Sequence, residues 1–300
     1  MRKKLALLAK PMLYNIAGFS LKLEGPHCPY LEHRMKAYIQ KDGGSNSADL
    51  CISFKENNAI VVPAGRDFRR LDAWYWIDRG EEGYTGMKQV SVNRVNLVRA
   101  DIDKCCRNAT VDYIDVTGRA EFTTEYLLHY VFGDIFAFCQ TQRGATVLHS
   151  AAMAYRGRAV LFSAPSETGK STHSGLWKKF YPEDVVLFND DTPVIRPVGD
   201  AFYASGTPWS GKTEINENCE FPLAGIVFLK QAPTNQIRKL SPIEAVVKLL
   251  NETRKPIFED LMDKHMDILQ EILRKVPVYE LGCTISREAV DLVKDTLFQE

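Results

Sequence analysis

The sequence predicts a two-part chain: a β-rich α+β domain over residues 1–122, then an α/β domain with a mixed sheet over residues 123–300. Three observations predict it. Short alternating or apolar runs separated by turn-rich pieces recur through residues 12–120. A long apolar stretch with helical character, TTEYLLHYVFGDIFAFCQTQ, follows at 123–142. Beyond it, apolar strand-like runs are interleaved with amphipathic helical patterns, the arrangement of an α/β domain.

Composition sets the bounds. Hydrophobic residues make up 45% and charged residues 25%, enough apolar material for a sizeable core. Lys+Arg and Asp+Glu are both 38, so the formal net charge is zero, which argues against a general nucleic-acid or anionic-membrane binder. The seven cysteines are scattered without a C-x-x-C pair and read as reduced thiols; the adjacent Cys105 and Cys106 read as ordinary thiols, with a redox or metal site as the alternative. The opening MRKKLALLAKPML has an apolar run too short for a signal peptide, and no stretch has the length a membrane helix needs. The expectation is a soluble, cytoplasmic protein.

In the N-terminal part, strands are expected within 13–23, 50–54, 59–62, 74–77, 90–97 and 111–116. Trp74, Tyr75 and Trp76 form an aromatic cluster, read as a sheet face packing its core, with a binding platform as the alternative. The helix at 123–142 is capped by Thr123 or Thr124 and opens the second domain. It is apolar on nearly every face, so burial between the two halves is expected. Its His129 reads as packed or partly exposed.

The second part is organised around residues 159–172, AVLFSAPSETGKST. An apolar strand breaks into small and polar residues and ends at Gly169-Lys170-Ser171-Thr172. The spacing is that of a phosphate-binding loop, G-x-x-x-x-G-K-S/T, with Ala164 in the first glycine position. Such a loop, here Ala164, Pro165, Ser166, Glu167, Thr168, Gly169, Lys170, Ser171 and Thr172, turns successive backbone amides around a polyphosphate. Gly169 lets the chain approach without a Cβ, Lys170 reaches the β/γ oxygens, and Ser171 ligates Mg²⁺. The following helix, expected over 172–180, points its positive end at the anion.

Around this loop stand other polar residues. The strand at 145–155, turned back by Arg156-Gly157, carries His149 near its middle. If it neighbours the 158–163 strand, that imidazole lies beside the cradle; a purely structural histidine is the alternative. The apolar run VVLFNDD at 185–191 ends in Asp190 and Asp191, at the carboxyl end of a strand, where open α/β sheets place ligands. Like charges so close need a cation nearby. A hairpin follows at 192–205 with Gly199-Asp200 as its turn, leading into a loop with Ser210, Gly211 and Lys212. That loop reads either as a mobile substrate-facing segment, with Lys212 near the transferred phosphate, or as plain surface. A strand at 221–231 comes next. Ser241-x-x-Glu244 is a capping box for a helix to about residue 253, and a helix at 257–274, a strand at 276–281 and a helix at 287–298 complete the chain. Asp263 and His265, two apart on one helix, read as solvated.

Taken together, Leu148-His149-Ser150, APSETGKST, the NDD at 189–191 and the strand–loop–strand through Gly211 and Leu229 resemble the C-terminal kinase domain of HPr kinase/phosphorylase. They resemble phosphoenolpyruvate carboxykinase more distantly. The resemblance covers about residues 140–285. It implies a Mg-ATP-dependent phosphotransferase in which Lys170 holds the β/γ phosphates and Ser171 ligates Mg²⁺. Asp190 is implied as base, Asp191 as metal ligand, and His149 as facing the phosphate or a second metal. It also implies a homo-oligomer. The chain departs from that pattern in the first glycine of the loop and in lacking the family's arginine-glycine loop, whose place Trp209-Ser210-Gly211-Lys212 takes. HPr itself is therefore not carried over as the acceptor, nor is reverse phosphorylase activity. The expected acceptor is a hydroxyl of a protein, a peptide or a metabolite. The second reading is an ATP-binding regulator or scaffold without turnover.

Overall fold

The computed structural model describes residues 11–40, 48–63, 68–71, 73–90, 95–117, 122–211 and 213–299. The chain divides into two compact units, Met1–Gln142 and Arg143–Glu300. The sheets of both are mixed, and the protein is of the α/β type. No helix among the described residues is long and apolar enough to cross a membrane.

The first unit begins with strands β1 (Met12–Ile16) and β2 (Phe19–Glu24), a hairpin turned at Ala17 and Gly18, both with positive φ. Helix α1 (Pro29–Met35) follows, then β3 (Leu50–Glu56), β4 (Arg69–Leu71), β5 (Trp74–Asp78), β6 (Tyr84–Val90), β7 (Val95–Ile102) and β8 (Asn108–Tyr113). They form one sheet in the order β1-β2-β3-β8-β7-β6-β5-β4, parallel at β2–β3 and β3–β8 and antiparallel elsewhere. Two expected strands are corrected. Residues 59–62 form no strand, and Val61 and Val62 are exposed. The run at 90–97 is the end of β6 and the start of β7.

Helix α2 (Thr124–Gln140) is capped by Thr123, whose hydroxyl accepts from the Tyr126 amide. It groups with the first unit, not the second, because it docks on the tryptophan face of the sheet. Trp74 Nε1 donates to Asp134 Oδ2 at 2.8 Å, and the Trp76 ring stacks on Phe138 with centroids 4.6 Å apart. Trp74 and Trp76 are thus core residues, each presented on the same face by the period of two along β5. His129 is buried.

The second unit contains β9 (Thr146–Val147), β10 (Ser150–Tyr155), β11 (Arg158–Ser163), α3 (Lys170–Phe180), β12 (Val185–Asn189), β13 (Val194–Val198) and β14 (Ala201–Ser205). It continues through β15 (Glu220–Gln231), β16 (Gln236–Lys239), α4 (Pro242–Glu252), α5 (Glu259–Lys275), β17 (Val278–Cys283) and α6 (Arg287–Leu297). The main sheet runs β12-β10-β11-β15-β17-β16, with β11–β15 and β15–β17 parallel. The long β15 turns its first residues to β14, which continues to β13 and β9.

Alternation on the central strands sends side chains to two cores. Leu161 of β11 and Ile226 and Phe228 of β15 pack with Leu249 of α4 and Leu269 and Ile272 of α5. Val160, Phe162 and Val227 pack with Trp177 of α3 and Val290 and Val293 of α6 on the opposite face. Continuous apolar strands such as LAGIVFL are what a sheet covered on both faces requires. The capping box at Ser241 and Glu244 is formed in both directions.

His265 corrects the reading of a solvated helix face. It is fully buried, 3.0 Å from the Thr253 hydroxyl, while Asp263 is exposed.

Gly206 is required by space. A Cβ on Gly206, just after β14, would lie 2.0 Å from the Glu217 carbonyl oxygen, a backbone atom that cannot swing away. Gly206→Ala is expected to cost about 2–4 kcal/mol of unfolding free energy, measured by urea denaturation.

Candidate functional site

Three strand ends meet at one edge of the second unit. Strand β11 runs up to Ser163 and β12 up to Asn189, while the antiparallel β10, lying between them, starts there at Ser150. Ser150 pairs directly with Ser163. The strand expected over 145–155 is broken at this point. Residues 146–147 pair with β13, residues 150–155 pair with β11 and β12, and His149 occupies the gap between the two pairings. His149 therefore sits at a switch between ladders, not in mid-strand. Its carbonyl accepts from the Ser163 hydroxyl at 2.9 Å, placing it beside the exit of β11.

That exit is the loop 164–169. Ala164 is buried, Glu167 has φ 65°, and Gly169, the N-cap of α3, has φ 114°. No side chain caps α3 at Gly169. Pro165, Ser166 and Glu167 are exposed, as are Ser171 and Thr172 in the first turn of the helix. The Thr168 carbonyl accepts from Gln231 of β15 at 3.4 Å, which ties the loop to the neighbouring strand. Lys170 is 8% exposed, and its Nζ donates to the Ala164 carbonyl at 2.8 Å. Burial lowers its pKa, opposed by the charges of Glu252 and Asp191.

The two aspartates that follow β12 have different surroundings. Asn189 builds the turn between them and β13: its Oδ1 accepts from the Asp191 and Thr192 amides, at 3.0 and 2.8 Å. Its Nδ2 donates to the Thr207 carbonyl at 3.0 Å. The buried Asp190 carboxylate turns to the 206–213 loop, accepting from the Gly211 amide at 2.7 Å and from the Thr213 hydroxyl. Asp191 turns the other way. Its Oδ1 is 3.6 Å from His149 Nε2, and its carbonyl accepts from the Ser150 amide at 3.0 Å. Burial raises the Asp191 pKa, opposed by the charges of His149, Arg254 and Lys170, while Asp190 pushes it further up. The like-charge problem of the pair is met by giving Asp190 neutral donors and placing Asp191 near the charges of Arg254 and Lys170.

The 206–210 segment is packed, not open surface, while Gly211 is exposed. Thr207, Trp209 and Ser210 are buried, and the Thr207 hydroxyl donates to the Thr192 carbonyl at 2.9 Å. Gly211 touches Asp190 through its amide, and Lys212 lies outside the described residues.

One arm of the site escapes the sequence reading. The end of α4 lies alongside residues 147–149: Arg254 N donates to Val147 O at 2.9 Å, Leu148 and Thr253 form a bridge, and His149 N donates to Glu252 O at 2.8 Å. Glu252 Oε2 is 2.9 Å from His149 Nδ1, across 103 residues of sequence. Neither Glu252 nor Arg254 stands in a motif; only the unexplained acid at a helix C-terminus, unfavourable against the helix dipole, marks Glu252 out. Among the described residues no group of three or more His, Cys, Asp or Glu side chains is arranged to hold a metal ion by itself.

Comparison with known proteins fits a family but not a reaction. No curated protein matches the chain. Among solved structures, the Hpr(Ser) kinase/phosphatase from Coxiella burnetii matches at 12% identity, over 50% of this chain and 87% of that one, with a TM-score of 0.30. That likeness is too loose to fix the place of any residue. The family model of SynChlorMet cassette protein ScmC matches residues 126–295, more than half of the chain and the whole of the site just described. The chain belongs to the ScmC family.

Proposed function

We propose that the second unit is a phosphoryl-transfer domain that uses Mg-ATP to phosphorylate a hydroxyl of a protein, peptide or metabolite. The observation that carries this reading is the convergence of Lys170, Asp191 and His149 beside a helix N-terminus that no side chain caps. The loop 164–172 fits a nucleotide: a left-handed Gly169 brings backbone close, and exposed Ser171 and Thr172 border the helix end. The protein donor that would hold Mg²⁺ is the Ser171 hydroxyl; Asp191, which the resemblance implies as metal ligand, takes the part of base. A sparse protein donor set suits an ion held largely by phosphate oxygens and water. Bound there, the ion would neutralise charge on the phosphates.

The roles follow from the surroundings. Lys170 offsets charge on the β/γ oxygens, and its low exposure keeps that attraction strong. A carboxylate must take the acceptor's proton as its oxygen bonds to the γ-phosphorus and ADP leaves. Asp191 suits this better than Asp190. Its pKa is raised, and its carboxylate faces His149, whereas Asp190 is engaged by Gly211 and Thr213. This moves the base from Asp190, where the resemblance implies it, to Asp191. Asp190 instead anchors the Ser210–Gly211 segment at the rim of the site.

Incubation with γ-labelled ATP and Mg²⁺ beside a mixture of peptides and metabolites tests the reading. Wild type should label an acceptor, and Lys170→Ala should lose at least about 10²-fold in transfer, the scale of one transition-state charge contact. Nucleotide binding with no labelled acceptor in any mixture would favour a regulator that binds ATP without turnover.

A further inference from the structure

We infer that Glu252 is a positioning residue of this site, one that fixes the tautomer and orientation of His149, an inference that rests on the phosphoryl-transfer reading. The contact is short and specific: Glu252 Oε2 to His149 Nδ1 is 2.9 Å. Only the Glu252 contact is within hydrogen-bond distance, so Nδ1 carries the hydrogen, while Nε2 lies 3.6 Å from Asp191 Oδ1, beyond hydrogen-bond reach. The three groups therefore form a line, Glu252–His149–Asp191, ending at the carboxylate assigned as base. The charges of both outer members also act on Lys170, that of Glu252 more strongly than that of Asp191.

The scaffold holds this line in place. Backbone contacts at Arg254–Val147, Leu148–Thr253 and His149–Glu252 strap the end of α4 to the switch between β9 and β10. Thr253, in the middle of the strap, is held from below by the buried His265. The Glu252 side chain is 15% exposed, so solvent screens the pair less than it would on open surface. Position argues in the same direction. Glu252 is the last residue of α4, where a negative charge opposes the helix dipole. A residue kept only for helix stability would not be an acid at that end.

Two measurements test this. The first does not depend on activity. Long-range ¹⁵N–¹H spectra of histidine-labelled full-length protein, taken in the alkaline range, should show His149 as the Nδ1–H tautomer. Glu252→Ala should shift it toward Nε2–H; an unchanged tautomer overturns the inference. The second uses the labelling assay. Glu252→Gln, which keeps the shape, should lower kcat by about 10–100-fold with the KM for ATP within about twofold, and Glu252→Asp should recover part of the loss. On a His149→Ala background Glu252→Gln should have no further effect. Unchanged kcat in Glu252→Gln, or full additivity with His149→Ala, overturns the inference. If wild type transfers to no acceptor while the tautomer responds to Glu252, it is the phosphoryl-transfer reading that fails.

Discussion

Asp191→Asn should reduce phosphoryl transfer by about 10²–10⁴-fold, the contribution of a positioned general base, with nucleotide affinity within about twofold. The amide keeps the shape of the side chain and its contact distance to His149 but cannot accept a proton from the acceptor. Asp190→Asn should behave differently. Its carboxylate accepts from the Gly211 amide and the Thr213 hydroxyl, so an amide there weakens the hold on the 206–213 loop. The expected result is a loss of about 1 kcal/mol in unfolding free energy together with a smaller loss of transfer. Transfer measured beside urea denaturation separates the two variants. Abolished transfer in a fully stable Asp190→Asn, with Asp191→Asn active, would exchange the two roles.

Acid should destabilise the second unit well before its carboxylates are titrated. His173 and His265 are buried, and desolvation pushes each pKa from the ordinary 6.5 down to about 4. Trp177 Nε1 lies 3.4 Å from His173 Nε2, and His265 Nε2 lies 3.0 Å from the Thr253 hydroxyl, contacts that suit neutral rings. His265 Nδ1 is buried without a hydrogen-bond partner, so a second proton there has nowhere to donate. Between 6.5 and about 4 the unfolded chain binds protons that the folded chain does not. Stability is therefore fully present above the unfolded value and falls as pH drops through that window, by on the order of 3 kcal/mol for each histidine. His129 in the first unit, pushed to about 3 by burial and the Arg34 charge, acts in the same direction. Urea midpoints followed across this range should decline steadily. His265→Gln, which removes one of the titrating groups, should flatten the decline; an unaltered slope would show that His265 does not contribute.

Features set by neighbours in the chain are legible without coordinates. The capping box at Ser241, the turn at Arg156-Gly157, the alternation of β5 and the apolar run of β15 each rest on residues a few positions apart. The strand–loop–helix at 158–180 is read from one contiguous stretch for the same reason. What escapes is every feature made by distant partners. Helix α2 carries no signal for which unit it joins; Trp74 and Trp76 decide that through Asp134 and Phe138. An aspartate pair looks symmetrical as text, yet backbone direction after Asn189 sends one carboxylate to Gly211 and the other to His149. His265 looks solvated by its spacing from Asp263 and is buried because the end of α4 folds over it. Glu252 meets His149 only after β10 and α4 have been brought together by a shared core. Local propensity and turn chemistry act within a turn or two of chain, whereas burial and charge pairing depend on which surfaces the whole core brings into contact, and that is where this site's chemistry is set.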